Sequence, residues 1–192
     1  MLFTTNWLAK QFPTNQGGIQ DNITIKQVTT DSRAKGEGLL FVPLVGENFD
    51  GHEFVKQAID NGACAIIWDE SKHLPDDILP NLPIYFVKDT LSALQDLASA
   101  YRTEIDPIVI GITGSNGKTT TKDLTSAVVK TTYRTHATKG NFNNHIGLPL
   151  TILSMDRNTE ALIVEMGMSN FQEIDLLTRI ARPDVAIITN IG

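Results

Sequence analysis

Cysteine is almost absent from this chain, whose 192 residues include only Cys64. One thiol cannot close an internal disulfide, so a disulfide-stabilised extracellular fold is excluded. A reducing compartment is expected instead, and we take it to be the cytoplasm. The neighbours of Cys64, at positions 63 and 65–67, are apolar. We therefore interpret this cysteine as a buried packing residue and not as a nucleophile.

Long apolar stretches and a leader peptide are also missing. No run approaches the roughly 18 consecutive apolar residues that a membrane-spanning helix requires. Residues 1–12 lack a basic segment followed by an apolar one, so no secretory signal is expected. The chain has 16 basic and 22 acidic residues, and its net charge of −6 argues against a general nucleic-acid surface. We therefore expect neither membrane nor nucleic-acid partners.

A glycine-rich segment is the most informative feature that the chain does contain. Residues 111–120 have the sequence Gly-Ile-Thr-Gly-Ser-Asn-Gly-Lys-Thr-Thr, directly after an apolar, β-branched run at 108–110. A helical pattern follows to about position 131, with Leu124, Ala127 and Val128 spaced for one helix face. Strand, glycine turn and helix together are the context of a phosphate-binding loop, in which backbone amides at a helix N-terminus bind an anion.

This segment predicts ATP binding. The Lys118 ammonium would reach the β- and γ-phosphates, and the Thr119 hydroxyl would bind Mg²⁺. The strict pattern has a glycine six residues before the lysine, where this chain has Ile112. A turn without a ligand is the alternative interpretation. The predicted ATP-binding residues are Gly114, Ser115, Asn116, Gly117, Lys118, Thr119 and Thr120.

Strands and helices alternate along the rest of the chain. Apolar runs at 39–42, 65–68, 84–87, 161–164 and 185–188 are separated by helical patterns at 53–61, 90–105 and 174–180. This alternation predicts an α/β fold with a mostly parallel sheet. We predict a small N-terminal α/β domain at 1–87 and the first part of a phosphate-loop domain at 88–192. Because the chain stops at Gly192, just beyond a buried strand whose end should face a ligand, we expect the second domain to be incomplete.

Polar residues follow several predicted strands. Glu165 comes directly after the strand at 161–164 and could bind Mg²⁺, although a helix cap or a solvated glutamate is the alternative. The stretch 139–147 has three asparagines, which suit a ligand-facing loop or a plain Asn-rich turn equally well. The segments 31–33 and 46–52 could bind an anion, but turns with a capping aspartate are the favoured interpretation. Thr189 and Asn190 end the last strand, and the sequence assigns them no role.

Residues 111–122 closely resemble the ATP-binding loop of the Mur ligases, the enzymes that assemble the stem peptide of peptidoglycan. Four further segments carry the same resemblance, which covers nearly the whole chain. They are Asp-Ser-Arg at 31–33 with Leu-Phe-Val-Pro-Leu at 40–44, Gly-Glu at 46–47 with Asp-Gly-His at 50–52, Gly-Asn-Phe-Asn-Asn-His-Ile-Gly-Leu-Pro at 140–149, and Glu-Met-Gly-Met at 165–168.

The resemblance implies a ligase that uses ATP and Mg²⁺ to join D-alanyl-D-alanine to UDP-N-acetylmuramoyl-tripeptide through an acyl phosphate. We expect a monomer, but the sequence does not fix the oligomeric state. It implies a UDP-substrate domain at 1–87 and a central ATPase domain at 88–192, with Lys118 and Glu165 as catalytic residues and Thr119 and Glu165 as metal ligands. Family elements expected after Gly192 are missing, so this chain alone is expected not to ligate. Another Mur-type amino acid ligase and a non-catalytic nucleotide-binding switch are the alternatives. The implied substrate-binding residues are Ser32, Arg33, Gly46, Asp50, His52, Asn141 and Asn144.

Overall fold

The computed structural model describes residues 1–18, 21–78, 80–169 and 171–191. The chain forms two compact units, Met1–Leu94 and Gln95–Gly192. The predicted α/β class with mostly parallel sheets is confirmed. The functions predicted for the two domains stay predictions, and Gly192, where the second was predicted to end, lies outside the described residues. Over the described ranges, no helix has the length and apolar character needed to cross a membrane.

The first unit is built on a five-stranded sheet. Its strands lie in the order β2 (Asn15–Gln16), β7 (Ile84–Val87), β6 (Ala63–Asp69), β5 (Leu39–Phe41) and β4 (Gln27–Thr29). The last four strands are parallel, and β2 runs antiparallel to β7. A separate antiparallel pair joins β1 (Phe3–Thr4) to β3 (Thr24–Ile25). The helices are α1 (Thr5–Gln11) and α2 (Val55–Asp60), and α2 follows a 3-10 turn at Gly51–Phe54.

Apolar side chains from β5, β6, β7 and α2 form one core of this unit, which includes Phe41, Ile66 and Trp68. Cys64 on β6 is partly exposed and not fully buried as predicted, because alternate residues of a strand face opposite sides of the sheet. Burial nevertheless raises the pKa of its thiol. A raised pKa disfavours the thiolate, which agrees with the prediction that Cys64 is not a nucleophile.

The second unit is built on a four-stranded parallel sheet. Its strands lie in the order β11 (Val185–Ile188), β8 (Ile108–Thr113), β10 (Ala161–Glu165) and β9 (Thr135–Ala137). The helices are α3 (Thr90–Ile105), which begins in the first unit, α4 (Lys118–Val129), α5 (Gly147–Ile152) and α6 (Glu173–Ala181). Glu165 pairs with Ile112, and Ile188 pairs with Thr113. The carboxyl ends of β8, β10 and β11 therefore meet at one edge of the sheet.

The apolar residues predicted to share one face of the helix after the glycine loop are exposed, so this face does not pack on the sheet. The helix itself forms as α4, but Leu124 and Val128 are 65% and 70% exposed. The buried residues of α4 are Lys122 and Ser126 instead. The Lys122 ammonium, on the buried side of this helix, donates a hydrogen bond of 3.0 Å to the Thr138 carbonyl. Residue spacing specifies a helix, but the side that packs on the sheet is decided by tertiary contacts.

Candidate functional site

The glycine loop joins β8 to α4 and turns the chain through two left-handed residues. Gly114 has φ 133° and Gly117 has φ 77°, a region that favours glycine because other residues carry a Cβ. A Cβ at Gly114 would also lie 2.1 Å from Thr189 Oγ1. Ile112, the departure from the strict pattern, is a fully buried residue of β8 that pairs with Glu165. The strand ends at Thr113, three residues later than predicted, so the loop begins at Gly114.

The Lys118 side chain folds back over this loop. Its ammonium donates a 2.7 Å hydrogen bond to the Gly114 carbonyl and lies 3.4 Å from the Ser115 carbonyl oxygen. Lys118 is also the first residue of α4, where the leading N–H groups have no acceptor within the helix. A cation and free amides at a helix N-terminus together form a site for an anion such as phosphate.

A carboxylate and a hydroxyl meet beside this lysine. Thr119 Oγ1 donates a 2.9 Å hydrogen bond to Glu165 Oε2 at the end of β10. The other carboxylate oxygen, Glu165 Oε1, accepts a 2.9 Å hydrogen bond from Asn143 Nδ2. Glu165 is 3% exposed, and its backbone N–H donates to Thr138 Oγ1 at 3.0 Å. The carboxylate is thus held in one orientation by two side chains from different parts of the chain.

The donor set of this site suits Mg²⁺. In the described residues, no three His, Cys, Asp or Glu side chains cluster to hold a metal ion. Magnesium usually takes one or two protein oxygens and completes its octahedron with waters and substrate phosphates. The paired oxygens of Thr119 and Glu165 fit that pattern without further protein ligands. The predicted magnesium role of both residues stays a prediction.

The asparagine-rich stretch contributes a residue that the sequence did not single out. Asn143 contacts the carboxylate, whereas Asn144 Oδ1 accepts hydrogen bonds from the backbone N–H groups of Ile146 and Gly147 at the start of α5. The Asn141 carbonyl accepts a 2.8 Å hydrogen bond from the Asn143 N–H, and Asn141 itself is exposed. Adjacent asparagines in one loop cannot be assigned by composition, so the predicted substrate contacts of Asn141 and Asn144 stay untested.

A cavity of about 460 Å³ lies in the first unit beside Arg33. Ser32 and Arg33 line it, and Ser32 Oγ donates a 2.6 Å hydrogen bond to Gln57 Oε1, but their predicted substrate contacts stay untested. Arg33 donates two hydrogen bonds of 2.9 Å to the carboxylate of Asp31. These bonds hold the pKa of Asp31 at about 2 and raise that of the Arg33 guanidinium. The remaining lining residues are Thr30, Asp31, Phe41, Phe49, Gly51, Phe54 and Gln57.

Aromatic rings at this cavity were missed because exposed phenylalanines carry no motif. Phe49 is 59% exposed and Phe54 is 44% exposed, so both rings present apolar surface next to a cation. Gly46 does not line the cavity, but a Cβ there would lie 2.4 Å from the Phe49 ring. The glycine therefore allows the ring to pack against the backbone of its own loop.

Asp50 and His52 form a separate network behind this loop. His52 is 5% exposed, its Nδ1 lies 2.6 Å from Asp50 Oδ1, and its Nε2 accepts a hydrogen bond from the Asp69 N–H. Lys72 donates to the other oxygen of Asp50, and the Trp68 ring meets the imidazole edge-on at 4.7 Å. Both ring nitrogens of His52 have partners inside the unit. This geometry favours a structural role for Asp50 and His52, and their predicted substrate contacts stay untested.

The charge on Asp50 is expected to stabilise the first unit. Burial opposes its ionisation, but hydrogen bonds from Lys72 and His52 prevail and lower its pKa from 3.8 to about 2. A lowered pKa stabilises the fold above pH 4 and loses that effect as the pH falls towards 2. Asp50→Asn should therefore lower the free energy of unfolding by about 1–2 kcal/mol at pH 7, with a smaller difference near pH 3.

Urea unfolding of the two proteins at both pH values measures this difference. Asp76→Asn is the matched control, because Asp76 is exposed and its replacement should change stability by less than about 0.5 kcal/mol. An equal loss from Asp50→Asn at pH 7 and pH 3 would contradict the assigned ion pairs.

The loop follows β8 and leads into the N-terminus of α4, with the end of β10 beside it, which is the arrangement typical of a phosphate-binding loop. The chain belongs to the Mur ligase family, as its sequence motifs indicated. The family description "Mur ligase family, catalytic domain" matches residues 24–102, and "Mur ligase middle domain" matches residues 112–192.

Named relatives include the UDP-N-acetylmuramoyl-tripeptide–D-alanyl-D-alanine ligases of Bacillus subtilis (strain 168) and Escherichia coli (strain K12). The first is 56% identical over 172 residues, which cover 90% of this chain and 37% of the relative. The second is 38% identical over 171 residues, which cover 89% and 36%. The chain thus spans little more than a third of the length of these relatives.

Two solved structures have the same fold. The crystal structure of MurF from Acinetobacter baumannii has a TM-score of 0.83 and 35% identity, and the match covers 99% of this chain and 41% of that one. The MurF ligase of Thermotoga maritima, solved in complex with ADP, has a TM-score of 0.76 and 37% identity, with 88% and 38% covered.

Proposed function

We propose that the whole protein is an ATP-dependent ligase of cytoplasmic peptidoglycan precursor synthesis. It would add D-alanyl-D-alanine to UDP-N-acetylmuramoyl-tripeptide, as the names of its relatives state for them. One observation carries the proposal: Lys118, Thr119 and Glu165 converge at one sheet edge in a chain 56% identical to such a ligase. The Thermotoga maritima relative was solved in complex with ADP, which supports nucleotide use by this protein.

Each of these residues has a defined task in the proposed reaction. Lys118 and the first amides of α4 hold the β- and γ-phosphates of ATP. Thr119 and Glu165 would hold a magnesium ion, which would supply positive charge to neutralise the phosphate oxygens. Asn143 keeps the Glu165 carboxylate turned towards Thr119. The loop works chiefly by positioning and by charge neutralisation, which is how phosphoryl transfer is generally catalysed.

The proposed chemistry proceeds in two steps. The terminal carboxylate of the tripeptide attacks the γ-phosphorus of ATP, the bond to the β-phosphate oxygen breaks, and ADP leaves an acyl phosphate behind. The amine of D-alanyl-D-alanine then attacks the acyl carbon and expels inorganic phosphate, and its excess proton is lost as the amide forms. An amine cannot displace the oxygen of a free carboxylate directly. Phosphorylation converts that oxygen into a good leaving group.

The cavity beside Arg33 is proposed to hold the uridine diphosphate end of the sugar nucleotide. A guanidinium suits a diphosphate, because its N–H groups form paired, charge-assisted hydrogen bonds to phosphate oxygens. The exposed rings of Phe49 and Phe54 suit the flat face of a pyrimidine. Asp31 fixes the direction of the Arg33 side chain through two hydrogen bonds.

Arg33→Ala tests this assignment. The change is expected to weaken UDP binding about 10-fold, which corresponds to about 1.4 kcal/mol for one exposed charge-assisted contact. Isothermal titration with UDP measures the dissociation constant. Lys35→Ala is the matched control, since it removes an exposed cation two residues away. Equal weakening by both variants would indicate general charge attraction and would contradict a specific Arg33 contact.

Titration with the sugar nucleotide tests the function as a whole. A ligase requires that UDP-N-acetylmuramoyl-tripeptide and a magnesium–nucleotide complex both bind, each at one site per chain. A nucleotide-binding switch would bind the nucleotide alone. A neighbouring Mur-type ligase would bind a UDP-N-acetylmuramoyl compound with a shorter peptide more tightly than the tripeptide. Absence of nucleotide binding by the unchanged chain would refute the proposal.

A further inference from the structure

The end of β11 contacts the glycine loop through two successive residues. Thr189 Oγ1 lies 2.5 Å from the Asn116 carbonyl oxygen and 3.2 Å from the Thr113 carbonyl oxygen, so it donates chiefly to Asn116. Asn190 Oδ1 accepts a 2.9 Å hydrogen bond from the Asn116 N–H. The Asn190 carbonyl accepts another, of 3.1 Å, from the Ser115 N–H. The N–H and the carbonyl of Asn116 are therefore both bonded to residues that lie over 70 positions away.

The loop and the strand end are complementary in shape as well as in hydrogen bonding. The Thr189 hydroxyl occupies the place where a Cβ of residue 114 would stand, at 2.1 Å. The Thr189 N–H also donates to the Thr113 carbonyl at 2.9 Å. The backbone hydrogen bonds between β8 and β11 therefore continue to the last residue before the loop. Gly114 thus has a second reason to be glycine, beyond its positive φ.

These contacts direct the loop amides to different partners. The N–H groups of Ser115 and Asn116 point to Asn190, although the sequence predicted that both residues bind ATP. The following N–H groups belong to the first turn of α4, where a helix leaves its amides without an acceptor. Residues 115 and 116 are thus held against β11, while the leading N–H groups of α4 have no acceptor within the helix.

We propose that Thr189 and Asn190 are positioning residues for nucleotide binding. They act through the backbone of residues 115 and 116, and they set the conformation in which the loop receives the phosphates of ATP. This inference rests on the proposed nucleotide-binding function. Because both residues contact the loop backbone, losing these contacts costs affinity through a less ordered loop.

Four variants of the 192-residue chain test the proposal. Thr189→Val removes the hydroxyl at nearly constant volume, Thr189→Ser keeps it, Asn190→Ala removes the side-chain acceptor, and a double variant combines Thr189→Val with Asn190→Ala. Titration with ADP and Mg²⁺ gives the affinity, and hydrogen exchange followed by NMR gives the protection of the Asn116 amide. Thermal unfolding of each variant separates loss of the loop conformation from loss of the fold.

We expect Thr189→Val and Asn190→Ala each to weaken ADP binding about 5- to 20-fold and to speed exchange of the Asn116 amide about 10-fold. Thr189→Ser should bind ADP within about twofold of the unchanged chain. An exposed residue such as Asn190 can be replaced without unfolding the unit, so at least one variant reports on the loop.

Two outcomes overturn the proposal, and they differ from each other. If the unchanged chain binds ADP and the double variant binds it equally well, the positioning role is wrong and the proposed function stands. If the unchanged chain does not bind ADP, the proposed function fails and the inference fails with it.

Discussion

Lys118→Ala should weaken the binding of ADP at least 100-fold in the presence of Mg²⁺. The ammonium lies over the loop at 2.7 Å from the Gly114 carbonyl, beside the open N-terminus of α4. Removing one partner from a partly desolvated, charge-assisted contact costs about 2–5 kcal/mol, and 2.7 kcal/mol already corresponds to 100-fold. The Gly114 and Ser115 carbonyls lose a donor as well.

Titration of ADP into both proteins measures the effect. Lys130→Ala is the matched control, because Lys130 is exposed at the opposite end of the same helix. The Lys130→Ala variant should bind ADP within about twofold of the unchanged chain. Lys130 lies so far along the helix from the loop that solvent and salt screen its charge. Affinity unaltered in Lys118→Ala would refute a phosphate-binding loop at this position.

Glu165→Gln should abolish the effect of Mg²⁺ on nucleotide affinity. Glutamine keeps the size of the side chain and can still accept from Asn143, while its amide can donate to Thr119 Oγ1. The free energy of unfolding should therefore change by less than about 1.5 kcal/mol. The charged oxygen ligand is lost, and Mg²⁺ binds neutral amides far less well than carboxylates.

The measurement is the ratio of ADP dissociation constants without and with Mg²⁺. We expect a ratio of roughly 10 or more for the unchanged chain and below about 2 for Glu165→Gln. Glu160→Gln, at an exposed residue just before the same strand, should keep the ratio of the unchanged chain. A ratio that stays high in Glu165→Gln would assign the metal to other ligands.

Local patterns predicted the regular elements well where the chain itself supplies the information. The strand Ile84–Val87 and the helix Thr90–Ile105 have the bounds that their apolar spacing and their flanking residues indicated. The short strands at Phe3–Thr4 and Asn15–Gln16 were not predicted, because two residues are too few to show a period. They exist only through pairing with strands elsewhere in the first unit.

The residues of the candidate site also fall into two groups, those that a local pattern identifies and those that only the structure reveals. Lys118 and Thr119 could be found because a phosphate-binding loop is a contiguous motif, and Glu165 because it follows a buried strand. Asn143 lies 22 positions from the carboxylate that it contacts, and Thr189 lies 73 positions from the carbonyl to which it donates. Such pairs leave no local pattern in a single sequence.

By itself, the sequence determined the alternation of strands and helices, the position of the glycine loop and the family to which the chain belongs. These properties depend on residues within a few positions of one another, through backbone preferences and side-chain periodicity. The tertiary structure alone decided that Lys122 is on the buried side of α4 while Leu124 is exposed. It also decided that residues at the end of β11 form hydrogen bonds to the glycine loop. Parallel pairing brings distant strand ends to one edge, so the partners of each side chain there are set by the order of strands in the sheet.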